Sequence, residues 1–383
     1  MMFWVFFYII SILFWGLSIK TKYNDQKKLI RTYVFFLWFI GSFRYMVGSD
    51  YYTYRSLYDI PADKIEDVFS ARTEPMFQLI VMILNYLGFD FQMMFLIYET
   101  LIIYFFLKGI RCFFINDRYV LLTLIIYGCF SIGFYWSLNV IRQVLAMSIC
   151  FYSVKFIISR DIYKFIVCII IAMLNHYSAI IFLPMYILYG RRLNFRFCII
   201  SMLFFILLTI SGKNIDIILL VLSFVSDNFG HYTGYAMNIK NMIVIDSSIP
   251  STTIVLVAVY FYIMYELRGR NDNSIEMCIS MTYLYFILRV FATFNDVSGF
   301  NIVAIANRIP HYWSYFFIVL IVYWFEEMKN PSRRLIYTTI LLIVLSAQNL
   351  VALEYNAEKT STIITPDGPI IDFEYDINFK LLK

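Results

Sequence analysis

Charge is what this chain has least of. Only 15% of its 383 residues are Asp, Glu, Lys or Arg, whereas about a quarter is usual in a soluble domain. An ordinary water-facing surface is therefore excluded. The net charge of +5 is not gathered into a basic patch apart from the apolar segments, which argues against a nucleic-acid partner. No CxxC occurs among Cys112, Cys129, Cys150, Cys168, Cys198 and Cys278, which lie in or beside apolar segments, so neither a disulfide framework nor a zinc site is indicated. P-loop, GxGxxG, HExxH and GxSxG motifs are missing, which argues against ATP-driven, nicotinamide, zinc-protease and serine-hydrolase chemistry. No basic residue precedes Lys20, so the first apolar segment does not read as a cleavable signal peptide. No internal repeat is evident.

What is present is apolar from end to end. Hydrophobic residues make up 61% and aromatics 20%, with 39 Phe and 32 Tyr. The fold class this implies is all-α: a polytopic helical membrane protein forming a single membrane domain. At about 20 apolar residues per crossing, about 12 spans are expected. They fall at 2–19, 29–46, 91–108, 119–137, 138–157, 163–175, 177–190, 196–211, 252–267, 276–294, 308–326 and 333–352. The short pair 163–175 and 177–190 reads either as two crossings or as a re-entrant hairpin. Two further stretches, 75–88 and 215–226, are too short.

Lysine and arginine set the orientation. Nineteen of the 31 basic residues fall in six clusters on one side, at 20–31, 108–118, 155–164, 191–196, 268–270 and 329–334. Only eight of the 26 acids accompany them, which makes that side the cytoplasmic one. The count also assigns 75–88. If it crossed, the basic 108–118 loop and every later loop would invert. It is therefore expected to be an external interfacial helix, entered at Glu74-Pro75 with the proline in its first turn. Both termini are then outside, with external loops at 44–74, 212–251 and 295–307 and an external tail at 354–383. The inner connectors are short, so chemistry is expected at the outer face.

Three segments carry the candidates. The first loop runs Arg44-Tyr45-Met46-Val47-Gly48-Ser49-Asp50-Tyr51-Tyr52-Thr53-Tyr54 and ends in Arg72-Thr73-Glu74-Pro75. One reading is a solvated loop of mixed charge. The other is a polar site floor, with an acid to accept a proton and aromatics to stack on sugars. In the second segment, Asn139, Arg142 and Gln143 are expected on one helix face. Arg142 stands in an apolar helix on the side where arginine serves no topological purpose; anion binding is favoured over snorkelling. The third is Asn175-His176-Tyr177-Ser178, where the chain breaks between two apolar halves. A broken backbone at that depth needs protein or a water-filled cavity around it. Further on, Asn307-Arg308 precedes Pro310, His311 and Tyr312, while His231 is weakly informative. Glu99, alone in mid-span, calls for a partner, with Arg289 one candidate. Arginines 44, 72, 142, 289 and 308 thus gather at one face, and their planar forks suit phosphate.

At these residues the chain resembles the EpsG/Wzy-type polysaccharide polymerase family of bacterial membranes. The resemblance rests on Arg44–Tyr54 with its Gly48-Ser49-Asp50, on Trp136 through Asn139-Val140-Ile141-Arg142-Gln143 to Ala146, and on His176-Tyr177-Ser178 with Pro184. It covers about residues 30–190 well and the rest loosely, through Arg308 and Tyr312. The family usually has Gly-Thr-Asp where this chain has Gly48-Ser49-Asp50. The layout also looks like a GT-C-type glycosyltransferase, although fold analogy does not establish function.

The resemblance implies polymerisation of undecaprenyl-diphosphate-linked repeat units into O-antigen or exopolysaccharide, at the outer face of the bacterial cytoplasmic membrane. It further implies Asp50 as base, with His176 or Glu74 as substitutes. Arg142 and Arg308 would hold the diphosphate, helped by Arg44 or Arg72, while Asn139, Gln143 and Tyr54 would orient sugar hydroxyls. Partners would be the lipid-linked repeat units, the bilayer and a chain-length regulator. No cofactor is called for, since one acid at Asp50 is thin support for Mg²⁺. The competing readings are another lipid-linked glycosyltransferase, an O-antigen ligase, or a flippase; transporters tend to show internal repeats and midplane sites.

Overall fold

The computed structural model describes every residue except 1, 22–24, 49, 63, 71–72, 215, 218–219, 221–243, 247–248, 271, 293–294, 297–307, 361–363, 366–367, 370–375 and 378–383. It is all-α apart from short two-stranded ladders. Among the described residues five helices are long and apolar enough to cross a membrane: Met2–Lys20, Gln92–Ile110, Ile141–Ile158, Asn273–Phe291 and Pro331–Val351. Shorter apolar helices accompany them, so the chain is a multi-pass membrane protein. Most of the expected loops 212–251 and 295–307, including His231, lies outside the described residues.

The chain forms two compact units, one of residues 1–188 with 325–383 and one of 189–324. In the first, α1 (Met2–Lys20), α2 (Gln26–Ser42), α3 (Tyr51–Asp59), α4 (Ile65–Ser70), α5 (Pro75–Tyr86), α6 (Gln92–Ile110), α7 (Asp117–Cys129), α8 (Phe134–Ser137), α9 (Ile141–Ile158) and α10 (Ile162–Asn175) follow in order. A 3₁₀ helix at Tyr177–Phe182 comes next. α9 is the centre, packed on α6 and α10, while α2 lies against α6 and α7. Phe7 stacks on both Phe36 and Phe134, joining α1, α2 and α8. The second unit holds the helices Phe195–Ile210, Ser251–Leu267 and Asn273–Phe291 and the 3₁₀ turn Ile309–Trp313.

Several helices entered from basic loops begin with an Asn or Asp whose side chain accepts from the first turn. They are Asn116 (from Arg118 N–H), Asp161 (from Lys164 N–H), Asn194 and Asp272. Such caps satisfy donors that have no partner inside the helix.

Three of the expected spans take a particular form in the structure. The expected span 119–137 stops at Cys129, and the chain turns through Gly133 into the single turn of α8. A Cβ on Gly133 would run into the Tyr127 carbonyl, so only glycine fits there. The expected pair 163–175 and 177–190 is a 14-residue helix followed by a 3₁₀ turn and the short Met185–Leu188 helix. The last expected span, 333–352, is observed as Pro331–Val351, within a helix that continues to Thr360. Beyond it, Asp376–Ile377 pairs antiparallel with Arg44–Tyr45, which brings the tail to the first loop.

One ion pair lies wholly inside the first unit. Arg44, at 0% exposure, points Nη1 at Glu99 Oε1 (3.2 Å) and donates to the Gly41 carbonyl (2.6 Å), with its guanidinium 3.9 Å over the Phe95 ring. Ser137 Oγ also donates to Glu99 Oε1 (3.0 Å). Gly41 is needed for this approach, since a Cβ there would lie 2.6 Å from Glu99 Cδ. Glu99 thus has Arg44 as its partner, not Arg289, whose Nε donates to Thr253 in the second unit. Removing one member would strand a buried charge. Glu99→Ala is therefore expected to cost about 3–5 kcal/mol, read as a lowered thermal unfolding midpoint in detergent. An unchanged midpoint would show that the pair holds nothing.

Candidate functional site

The site grows from three helix starts in the first unit. Asp50, Glu74 and Val140 stand directly before α3, α5 and α9, and none of them caps its helix with its side chain. Gly48 makes the first junction. Its φ is +98°, and a Cβ there would lie 2.6 Å from the Leu138 carbonyl oxygen. Glycine is therefore required twice over, for the left-handed backbone and for the close approach. The loop so placed donates the Asp50 N–H to Asn139 Oδ1 (3.0 Å). Two sequence blocks 89 residues apart are joined there.

Glu74 makes the second junction. Pro75 occupies the first position of α5, and Glu74 stands before it in extended conformation (φ −64°, ψ 144°), as a residue before proline prefers. Its carboxylate is shared: Oε2 pairs with Arg142 Nη1, and Oε1 lies 2.6 Å from His176 Nδ1. The Glu74 side chain is 7% exposed, against 21% for Arg142 and 25% for His176. The Arg142 guanidinium lies 5.3 Å from the Phe77 ring and 5.6 Å from the Tyr54 ring, two neighbouring rings whose centroids are 5.8 Å apart, both within cation–π range. Its Nε has no hydrogen-bond partner among the described residues. Gln78 donates to Thr73 Oγ1 beside Glu74 (2.5 Å).

His176 reaches this point because α10 ends there. Its own backbone is extended (φ −160°) while its N–H still closes the last turn onto Ala172. Nδ1–H donates to the Glu74 carboxylate, and a ring unprotonated at Nε2 presents that atom as an acceptor. A carboxylate that orients a histidine, beside a guanidinium, can take a proton and stabilise an anion.

Of the expected site residues, Glu74, Arg142, His176 and Tyr54 meet directly, and Asp50 and Asn139 meet each other. Tyr54 is 3% exposed and packs on Phe77 and Arg142, so its ring supports the guanidinium. Asn139 does not share a helix face with Arg142, because α9 starts only at Ile141 and Asn139 lies in the preceding turn. Gln143 is 2% exposed. Arg44 points inward to Glu99 rather than toward a surface anion. Arg72 is outside the described residues. Arg308 opens the Ile309–Trp313 turn of the second unit, where Arg308 and Arg289 both act electrostatically on the buried His311. Sequence reading missed Ser137, Gln78, Phe77 and the buried Tyr98, whose ring is 6.2 Å from that of Phe77. For Phe77, its place two residues after Pro75 was a usable signal.

Fold and cluster together define a multi-pass helical membrane protein with an acid, a histidine and an arginine gathered where three helices start. The EpsG family model matches residues 27–364, more than half of the chain, and the chain belongs to the EpsG family. No curated protein and no solved structure matches it.

Burial pushes the Glu74 carboxyl up, but the His176 hydrogen bond and the Arg142 charge together leave it below the ordinary value of 4.5. A group more acidic in the native state contributes stability that is complete above its unfolded value and drains as pH falls toward the native one. The thermal midpoint of the native protein should therefore fall more steeply below pH 4.5 than that of Glu74→Gln. Parallel pH profiles for the two proteins would contradict the pairing.

Proposed function

We propose that this protein is a polysaccharide polymerase. In this reading it joins undecaprenyl-diphosphate-linked repeat units into O-antigen or exopolysaccharide at the outer face of the bacterial cytoplasmic membrane. The single observation that carries the reading is Glu74 bridging Arg142 and His176, in a chain of the EpsG family. The family resemblance supplies the substrate class, and the cluster supplies the parts the chemistry requires. The bilayer, a GT-C-like frame of about 12 crossings and a chain-length regulator complete the picture.

The reaction needs a base for the acceptor hydroxyl, positive charge for the departing diphosphate and tolerance of an oxocarbenium-like centre. His176 Nε2 takes the hydroxyl proton, with Glu74 holding the ring in the right tautomer. The acceptor oxygen bonds to the anomeric carbon as the bond from that carbon to the diphosphate oxygen breaks. The leaving diphosphate keeps the electron pair and is met by Arg142. This moves the base role from Asp50, the first choice on sequence, to His176. Asp50 and Asn139 then shape the acceptor pocket, together with Gln143. Arg72 remains assigned to the diphosphate. Arg44 is assigned to holding the loop.

Deleting the gene and resolving surface polysaccharide on a gel is the primary test. Single repeats without a ladder are expected, and an unchanged ladder would reject polymerisation. Polymer retained on the lipid diphosphate would mark a ligase instead. In the purified enzyme, Arg142→Ala should lower kcat by about two to three orders of magnitude, the usual loss on removing one transition-state donor. A normal ladder from that variant would remove the leaving-group role.

A further inference from the structure

Glu74 occupies the only Arg142 nitrogen that is paired with an acid among the described residues. The same carboxylate is held at its other oxygen by His176, 2.6 Å away. Arg142 Nε has no hydrogen-bond partner among the described residues, the Phe77 and Tyr54 rings lie within cation–π range of the guanidinium, and the Tyr54 hydroxyl is a further, uncharged hydrogen-bond partner. The one acid on the guanidinium is therefore Glu74, through a single carboxylate oxygen, the kind of acceptor a phosphate oxygen also supplies.

From this geometry we infer that Glu74 is a built-in competitor of the diphosphate. In the resting protein its carboxylate stands on Arg142 where a substrate oxyanion will bind. Substrate entry displaces it from Arg142 and leaves it wholly to His176. The exchange involves no bond making or breaking. It frees the guanidinium fork for two parallel hydrogen bonds, and it concentrates the carboxylate on the histidine when the acceptor must lose its proton. Glu74 is thus a positioning residue with two states, and it couples occupancy of the anion site to orientation of the base.

The inference rests on the proposed assignment of Arg142 to the diphosphate, and the test separates the two. Full-length protein in detergent would be titrated with inorganic pyrophosphate and with farnesyl diphosphate, as native chain, Glu74→Gln, Glu74→Asp and Arg142→Ala. Removing a competing charge from a partly buried pair predicts binding at least about tenfold tighter in Glu74→Gln. Glu74→Asp, one methylene shorter and unable to hold both partners, should bind more tightly than native while keeping a carboxylate at the helix start. Arg142→Ala should lose binding. In turnover, Glu74→Gln should lower KM and kcat together, the signature of a lost ground-state contact combined with a lost base orienter. A role confined to folding would not tighten diphosphate binding. If both Glu74 variants bind no more tightly than native while Arg142→Ala still loses binding, the competitor role is overturned and the diphosphate site stands. If Arg142→Ala binds and polymerises as native does, both fail.

Discussion

An ionised group away from water persists only beside a partner, and two such pairings arrange the candidate site of the first unit. The inner pairing is Arg44 with Glu99, steadied by Ser137 and the Gly41 carbonyl. It ties the end of α2 to α6 and α8, and so decides where the loop after Arg44 leaves the bundle. From that fixed origin the chain reaches Gly48, docks on Leu138 and hands the Asp50 N–H to Asn139. α3 then runs on to set Tyr54 under Arg142. The outer pairing, Glu74 with Arg142 and His176, closes the same loop from its other end. Neither pairing uses neighbours in sequence, so each also serves as a long-range registration mark for α2, α5, α6, α9 and α10.

The helix starts explain why carboxylates are available for this. At the basic loops, Asn116, Asp161, Asn194 and Asp272 spend their side chains on the first turns of their own helices. Those ends are chemically quiet. At the starts of α3, α5 and α9 no side chain performs that task. Glu74 stands at a cap position without capping, because the proline after it removes one donor and its carboxylate is drawn to Arg142 and His176. Position in the helix and role in the site are separate properties of the same residue.

Much of this was legible in sequence where local chemistry speaks. Pro75 marked the start of α5 and held Glu74 in extended backbone. The expected 75–88 helix is observed at Pro75–Tyr86. The break at His176 followed from polar residues interrupting an apolar run, and Arg142 stood out as an arginine with no topological reason to be there. Where hydropathy is uniform the reading went astray. Residues 119–157 are apolar almost throughout, so nothing in their periodicity announces that α7 stops at Cys129 or that α9 waits until Ile141. Asn139 was therefore placed on a helix it precedes. The partner of Glu99 was equally out of reach, because Arg44 lies 55 residues away and only tertiary packing brings them together.

Electrostatic balance explains how such a cluster can be both stable at rest and receptive to an anion. Glu74 and Arg142 cancel in charge, so the guanidinium is held by an internal acid in a half-buried cluster. A diphosphate carries more negative charge than one guanidinium offsets. Under the proposed function the helix starts beside Asn139 and Arg142 add positive potential, since an uncapped start carries about half an elementary charge. Their N–H dipoles are fixed by the fold and need no counter-ion of their own. Under the proposed function, a cluster built this way keeps its cation on an internal acid until its ligand arrives. It recognises that ligand through dipoles that cost nothing to hold in place, with the one full charge released only by exchange.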